Sequence, residues 1–169
     1  MITTTLNKIR EHQCDMTDII LTLTIPGEPV PKGRPRARVV THNDTRKKPF
    51  VQIYPDAKTT NFETHIKLLA RQAMGFREPH AGPCELEIWI YLPIPKSWTK
   101  MKREAAEKGE LAHTKKPDAG NVQKAVEDAL NEVAYLDDSQ ITDVIVHKRF
   151  AVGLPHTNLQ LRAINLPSC

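Results

Sequence analysis

Residues 115–144 read KKPDAGNVQKAVEDALNEVAYLDDSQITDV. Within this run Val122, Ala125, Val126, Ala129, Leu130 and Val133 fall at i, i+3, i+4, i+7, i+8 and i+11. At ~100° per residue they make one apolar stripe, which predicts a helix of about 14 residues with one face on a core. The same wheel puts Asn121, Lys124 and Asp128 within about 60° of one another on a different face. Polar residues of uncommon density therefore surround a helix whose other side is core.

Working outward, ITDVIVHKRFAV and NLQLRAINL read as two strands joined through GLPH, and a hairpin at a sheet edge is expected. Upstream, CELEIWIYL (84–92) alternates Leu86, Ile88, Ile90 and Leu92 with Glu85, Glu87, Trp89 and Tyr91, the clearest strand pattern in the chain. Its Trp and Tyr are expected to cover core or a packed helix rather than to stack on bases. Pro93 and Pro95 stop that strand, and Ser97 or Thr99 is a candidate cap for a charged, peripheral helix running to about Glu110. In DIILTLTI (18–25), Ile19, Leu21, Leu23 and Ile25 are expected to face inward. VQIY (51–54) is a short strand, and Asp56 opens a helix to about Met74 with Phe62, Ile66, Leu69, Ala70 and Ala73 on one face, ended by Gly75. Strands at both ends with helices between them give an α+β class: a single domain, a mixed β-sheet packed by helices.

The 169 residues, 40% of them apolar, suffice for one core-bearing domain, placed at 18–169 behind a loosely held extension of residues 1–17. Cys14, Cys84 and Cys169 form no CxxC or Cys/His cluster, so neither zinc nor a disulfide framework is expected. With no apolar run of ~18 residues and no secretory signal, a cytoplasmic protein is expected. The net charge of +4 is uneven. Lys32, Arg34, Arg36, Arg38, Arg46, Lys47 and Lys48 lie between Pro31 and Lys48 against one acid, Asp44. The rest of the chain carries 17 basic and 19 acidic residues, so the positive field belongs to one segment, following PGEPVPKGRPR with its four prolines and two glycines. A structured basic loop that binds phosphates and a solvated charge run both fit this composition. The arginine forks of RPRAR favour the first.

By residue chemistry alone, Asp118 reads as a helix cap, Lys124 as a surface residue, and Asp137 and Asp138 as turn formers. The competing reading is a site in which the LDDSQ loop folds back along the helix so that Asp138 approaches Asp118. A helix of about 14 residues is ~20 Å long, so the fold-back is essential to that reading.

The stretch KPDAGNVQKAVEDALNEVAYLDDSQITDV resembles the active-site region of the RusA family of Holliday-junction resolvases, crossover junction endodeoxyribonucleases. There the pattern is D-x-D-N-x-x-K, then D-[AG]-L-N, then D-D-x-Q-[IV]. PGEPVPKGRPRAR resembles the opening of many phage and bacterial members, and the matches run in register from about residue 18 to 165. The resemblance implies that Asp118, Lys124 and Asp138 are catalytic. It implies that Asp118 and Asp138 ligate Mg²⁺, with Mn²⁺ as a substitute, and that Asn121, Asp128, Asp137 and Gln140 support them. It further implies a bacterial or phage-encoded homodimer that resolves four-way DNA by paired symmetric nicks in recombination and repair. Lys32, Arg34, Arg36, Arg38, Lys115 and Lys116 are the candidate DNA contacts.

One position departs from the family pattern. D-x-D has become D-x-G, placing Gly120 where the third metal ligand is expected. Three consequences compete: an inactivating replacement, a substitute oxygen from Glu127, Asp128 or Asp137, or a catalytically impaired junction-binding dimer. Ordinary turn chemistry is a fourth account of a glycine beside Asn121.

Overall fold

The computed structural model describes residues 17–41 and 48–165. The elements are β1 (Thr17–Pro26), β2 (Arg36–Val40), β3 (Phe50–Tyr54), α1 (Ala57–Met74), β4 (Cys84–Leu92), α2 (Lys100–Glu107), α3 (Ala119–Leu130), a 3-10 turn (Asp138–Gln140), β5 (Ile141–Phe150) and β6 (His156–Ile164). Four strands form one mixed sheet in the order β1-β6-β4-β5, with β5 parallel to β4 and β6 antiparallel to both of its neighbours. A parallel neighbour requires a crossover connection. Residues 93–140, carrying α2 and α3, supply it. The α+β class and the mixed sheet are as expected from the sequence.

The expected hairpin of the last two strands does not form. β6 sits between β1 and β4, and β5 takes the outer edge. Burial accounts for the swap. Thr157, Leu159, Leu161 and Ala163 of β6 are all buried, as suits an inner strand, whereas half of β5 is exposed and only Phe150 is buried. The five residues from Ala151 to Pro155 reach about 17 Å, enough to step over β4 at ~4.8 Å per strand. Ala151 N donates to Leu92 O on the way (2.8 Å).

β1 also carries a correction. Leu21, Leu23 and Ile25 are buried, but Ile19 is 60% exposed. The register against β6 shifts between Ile19 and Leu21, and a bulge there turns the preceding residue outward.

α1 and α3 pack on one face of the sheet and on each other. Asp56 caps α1 by accepting from Lys58 N, and Gly75 ends it at φ 60°. The stripe on α3 is buried as the periodicity predicts, and Val122, Val126 and Leu130 are fully enclosed. Each such side chain contributes about 1.5–3 kcal/mol, so a charge at Val126 would undo the seat of the site-bearing helix. α2 buries only Ala106 and is peripheral.

Part of the basic segment is a strand rather than a loop. β2 pairs with β3 in a separate two-stranded ribbon, with Arg36 opposite Tyr54 and Arg38 opposite Gln52. Alternation in RARVV carried that signal beneath the prolines before it. Arg46 and Lys47, like residues 1–16, lie outside the described residues. No described helix is long and apolar enough to cross a membrane.

Candidate active site

Two stretches far apart in sequence are joined at the start of α3. Lys32 N donates to Asn121 O (2.7 Å), docking the PKG turn on the helix. Gly33 N donates to Thr59 Oγ1 (2.9 Å), and that hydroxyl donates to Pro31 O (3.3 Å), docking the same turn on α1. A Cβ at position 33 would lie 2.9 Å from Asp56 Cβ and 3.1 Å from Thr59 Oγ1, so this close approach requires glycine.

At the other end of α3 the chain folds back. Tyr135 is fully buried and its hydroxyl donates to Glu127 O (2.8 Å). Gln140 fixes the turn that follows: its Oε1 accepts from Leu136 N and Asp137 N, while its Nε2 donates to His80 O and Gly82 O. Asp137 accepts from Ser139 N (3.0 Å) and so caps the 3-10 turn. The Ser139 hydroxyl and backbone N–H beside it hold its carboxyl below the ordinary range.

The fold-back delivers Asp138 to Lys124. Lys124 Nζ lies 2.7 Å from Asp138 Oδ2, 3.3 Å from Asp128 Oδ1 and 3.7 Å from Glu127 Oε2. Asp128 in turn holds Lys32 Nζ at 2.6 Å, and Lys32 also pairs with Glu63 of α1. A chain of alternating charge thus runs Glu63, Lys32, Asp128, Lys124, Asp138. The hydrogen bond to Asp138, opposed by burial and reinforced by Asp128, raises Lys124 well above the ordinary lysine value. Burial alone would lower Lys32, but Asp128 and Glu63 outweigh it and the value rises. Burial likewise acts to raise Asp128, yet the two lysines pull it down. Both lysines are therefore permanent ammonium ions at working pH. They can hold a phosphate, but neither can accept a proton.

Asp118 stands apart from this network. It occupies the N-cap of α3 without a side-chain capping bond, and its carboxylate forms no hydrogen bond or ion pair among the described residues. With Lys32, Lys116, Asn121 and Glu28 it lines a shallow groove of about 410 Å³. Six helical steps separate it from Lys124, about 9 Å along the axis.

Gly120 lies in the first turn of α3, its φ outside the left-handed region, and a Cβ there would meet nothing within 4 Å. Neither backbone nor packing asks for glycine, so turn chemistry does not explain it. On the wheel, position 120 is about 40° from Lys124, on the network's side of the helix. A carboxylate there would lie on the face of α3 that carries Lys124. Without it, the divalent metal implied by the family does not fit the residues present. Among the described residues no three His, Cys, Asp or Glu side chains are grouped so as to hold a metal ion. Glu127, Asp128 and Asp138 converge on an ammonium instead, and Asp137 is committed to its cap.

The candidate DNA contacts divide. Arg34, Lys115 and Lys116 are exposed. Arg36 is tied to Asp56 (2.8 Å), and Arg38 to Gln52 (2.9 Å) beside the Tyr54 ring. Lys32 is drawn into the charge network. Glu63, which completes that network, carried no sequence signal, being one acid on a helix surface. Residue Tyr135 was readable only as part of a loop.

Residues 26–162 match the family Endodeoxyribonuclease RusA. A relative from Bacillus subtilis (strain 168), the "Uncharacterized protein YqaN", is 36% identical over 147 residues, covering 84% of this chain and 95% of that protein. A match over most of the chain, with the family's separated motifs joined around one helix, leaves no other assignment: the chain belongs to the RusA family of Holliday-junction endodeoxyribonucleases.

Proposed function

We propose that this chain is a homodimeric binder of four-way DNA junctions, built on the RusA endonuclease plan, whose incision step is weak because position 120 supplies no carboxylate. The observation that carries the reading is the open space at Gly120 beside a network in which Lys32 and Lys124 pair with the nearby acids. Junction arms are held by phosphate contacts from Arg34, Lys115, Lys116 and the arginines of β2, giving a steep salt dependence. Lys124 orients the scissile phosphate as a fixed positive charge. A two-fold dimer would present two such sites to a junction of matching symmetry.

A second reading keeps the chain as a Mg²⁺- or Mn²⁺-dependent structure-selective nuclease. It is favoured by the three carboxylates around Lys124 Nζ, whose combined charge exceeds that of the lysine. A labelled four-way junction incubated with Mg²⁺ or Mn²⁺ and either the chain or its Gly120→Asp variant separates the two. Loss of an outer-shell partner already costs about 10–100-fold, so the variant is expected to cut at least ~100-fold faster at equal binding. Comparable cutting by the unaltered chain sinks the impaired reading. Binding by both with cutting by neither refutes the site assignment.

A further inference from the structure

Away from the carboxylates, Trp98, His113 and Phe150 line a cavity of about 260 Å³, flanked by Pro95 and rimmed by Lys102 and Lys115. Phe150 forms the buried floor. Trp98 meets it edge-on with ring centroids 5.3 Å apart, and His113 leans on it at 4.7 Å. Lys102 Nζ stands 4.1 Å from the centre of the Trp98 ring. Nothing in the junction-binding reading uses this aromatic recess.

Its location ties it to the site. The three residues from Lys115 to Asp118 span at most about 11 Å. Lys148 Nζ fixes that segment by donating to Lys115 O (2.6 Å) and Pro117 O (3.0 Å). At ~3.4 Å of rise per nucleotide, at most about three nucleotides separate a phosphate on Lys115 from the start of α3.

We propose that the cavity between Trp98, His113 and Phe150 captures one unstacked nucleobase of a DNA strand whose flanking phosphates rest on Lys102 and Lys115. The proposal rests on the branched-DNA reading and adds a base-binding subsite to it. Aromatic walls suit any base, because every base presents a π-face. The volume falls below the roughly 300–1,000 Å³ of sites for drug-sized ligands, which limits the occupant to about one ring system. Cations on the rim match a polyanion and disfavour a basic or purely apolar peptide. Burial, followed by the Lys148 charge, lowers the His113 imidazole below its ordinary value, so the ring enters any stack uncharged. A base is cheapest to extrude where pairing is already broken, which places the captured nucleotide at or near a crossover.

The test uses the full chain, four-way junctions with single abasic positions around the crossover, and a short single-stranded oligothymidine. In a Trp89→Phe background Trp98 is the one remaining tryptophan. Its fluorescence should be quenched by both DNAs. One abasic position should weaken junction binding about 5- to 150-fold for the unaltered chain, the range that loss of one stacked base gives. The same position should cost less than 2-fold in Trp98→Ala, and Trp98→Phe should restore the abasic penalty, which controls for a variant that merely loosens the fold. Uniform abasic penalties, or penalties unchanged in Trp98→Ala, overturn the proposal while leaving junction binding in place. Loss of junction binding with quenching by oligothymidine retained refutes the branched-DNA reading and upholds the subsite. If Trp98→Ala instead shifts the sedimentation of the DNA-free chain toward monomer with no change in abasic penalties, a second copy fills the cavity and the proposal fails.

Discussion

Replacing Gly120 by Asp gives a prediction that can be read without any DNA. Position 120 is the second residue of α3, after the Asp118 cap and Ala119. There, Gly→Asp recovers a few tenths of a kcal/mol of helix propensity. A carboxylate in the first turn adds about 0.3–1 kcal/mol through the helix dipole. A new Cβ meets nothing within 4 Å, so no steric term opposes these gains. Repulsion from the neighbouring carboxylates offsets part of these gains, so metal-free the variant should be equal to the parent or up to about 1 kcal/mol more stable. For a domain of this size that is a rise in Tm of at most ~4 °C. With Mg²⁺ the two should part. A metal at 100 times its Kd adds about 2.7 kcal/mol by mass action, or roughly 5–11 °C. Thermal unfolding followed by circular dichroism, with EDTA and then with rising Mg²⁺, is the measurement. The variant should climb with metal and the parent should stay nearly flat. An equal climb by both would show that the parent already holds a metal, and the account of Gly120 as the missing ligand would be wrong.

Three further outcomes follow from the same geometry. Lys124→Ala in the Gly120→Asp background should reduce junction cutting by at least ~100-fold, the scale of losing a transition-state charge contact, with affinity changed less than about 3-fold; a larger affinity loss in a gel-shift titration would move Lys124 from chemistry to binding. Gly33→Ala forces a Cβ against Asp56 and Thr59 and should cost about 1–3 kcal/mol in urea unfolding, together with weaker junction binding as the PKG turn lifts from α3; an unchanged midpoint would refute the docking argument. The third concerns acid. Burial opposes the charged form of Asp128, but Lys32 and Lys124 win and its folded pKa lies below the unfolded value near ~3.9. Its contribution is therefore full above that value and is lost as pH falls through the folded pKa. Asp128→Asn should lower stability near pH 7 and flatten the loss below pH ~4; equal acid slopes for parent and variant would remove Asp128 from the network.

The parts of this fold that were legible in the sequence are those written in a repeating period. The α3 stripe and the alternation of β4 translate into burial residue by residue, because a helix and a strand each repeat one geometric step. Strand order has no such period. ITDVIVHKRF and its partner look like consecutive hairpin strands, and only the exposure of one and the enclosure of the other decide which takes the edge. Ile19 shows the same limit on a smaller scale, since one bulged residue reverses the face of everything before it. In the site, residue types alone suggested a cap, a surface lysine and a turn, and it was the resemblance to the RusA family that made Asp118, Lys124 and Asp138 candidates. Whether Lys124 and Asp138 meet depended on Tyr135 and Gln140, whose roles come from backbone partners at Glu127, His80 and Gly82 that no local pattern announces. Lys32 was counted among the basic residues of a loop, and its place beside Asp128 is set by the docking of that loop on α1 and α3.

The charge network explains how the chain tolerates its altered position. Four acids, Glu63, Glu127, Asp128 and Asp138, are gathered near two lysines within a partly shielded surface. Like charges this close oppose one another unless cations intervene. Lys32 and Lys124 are the cations that intervene here. The pairing has a consequence for binding. A DNA phosphate that engages Lys124 must share it with Asp138 and Asp128, so it exchanges one anion for another instead of adding a new contact. On the proposed reading, affinity comes chiefly from the exposed Arg34, Lys115 and Lys116, which have no such competitors among the described residues, with the β2 arginines adding to it. The proposed reading thereby places binding and chemistry on different side chains. On the proposed reading, a chain without a carboxylate at position 120 keeps junction binding while its incision weakens.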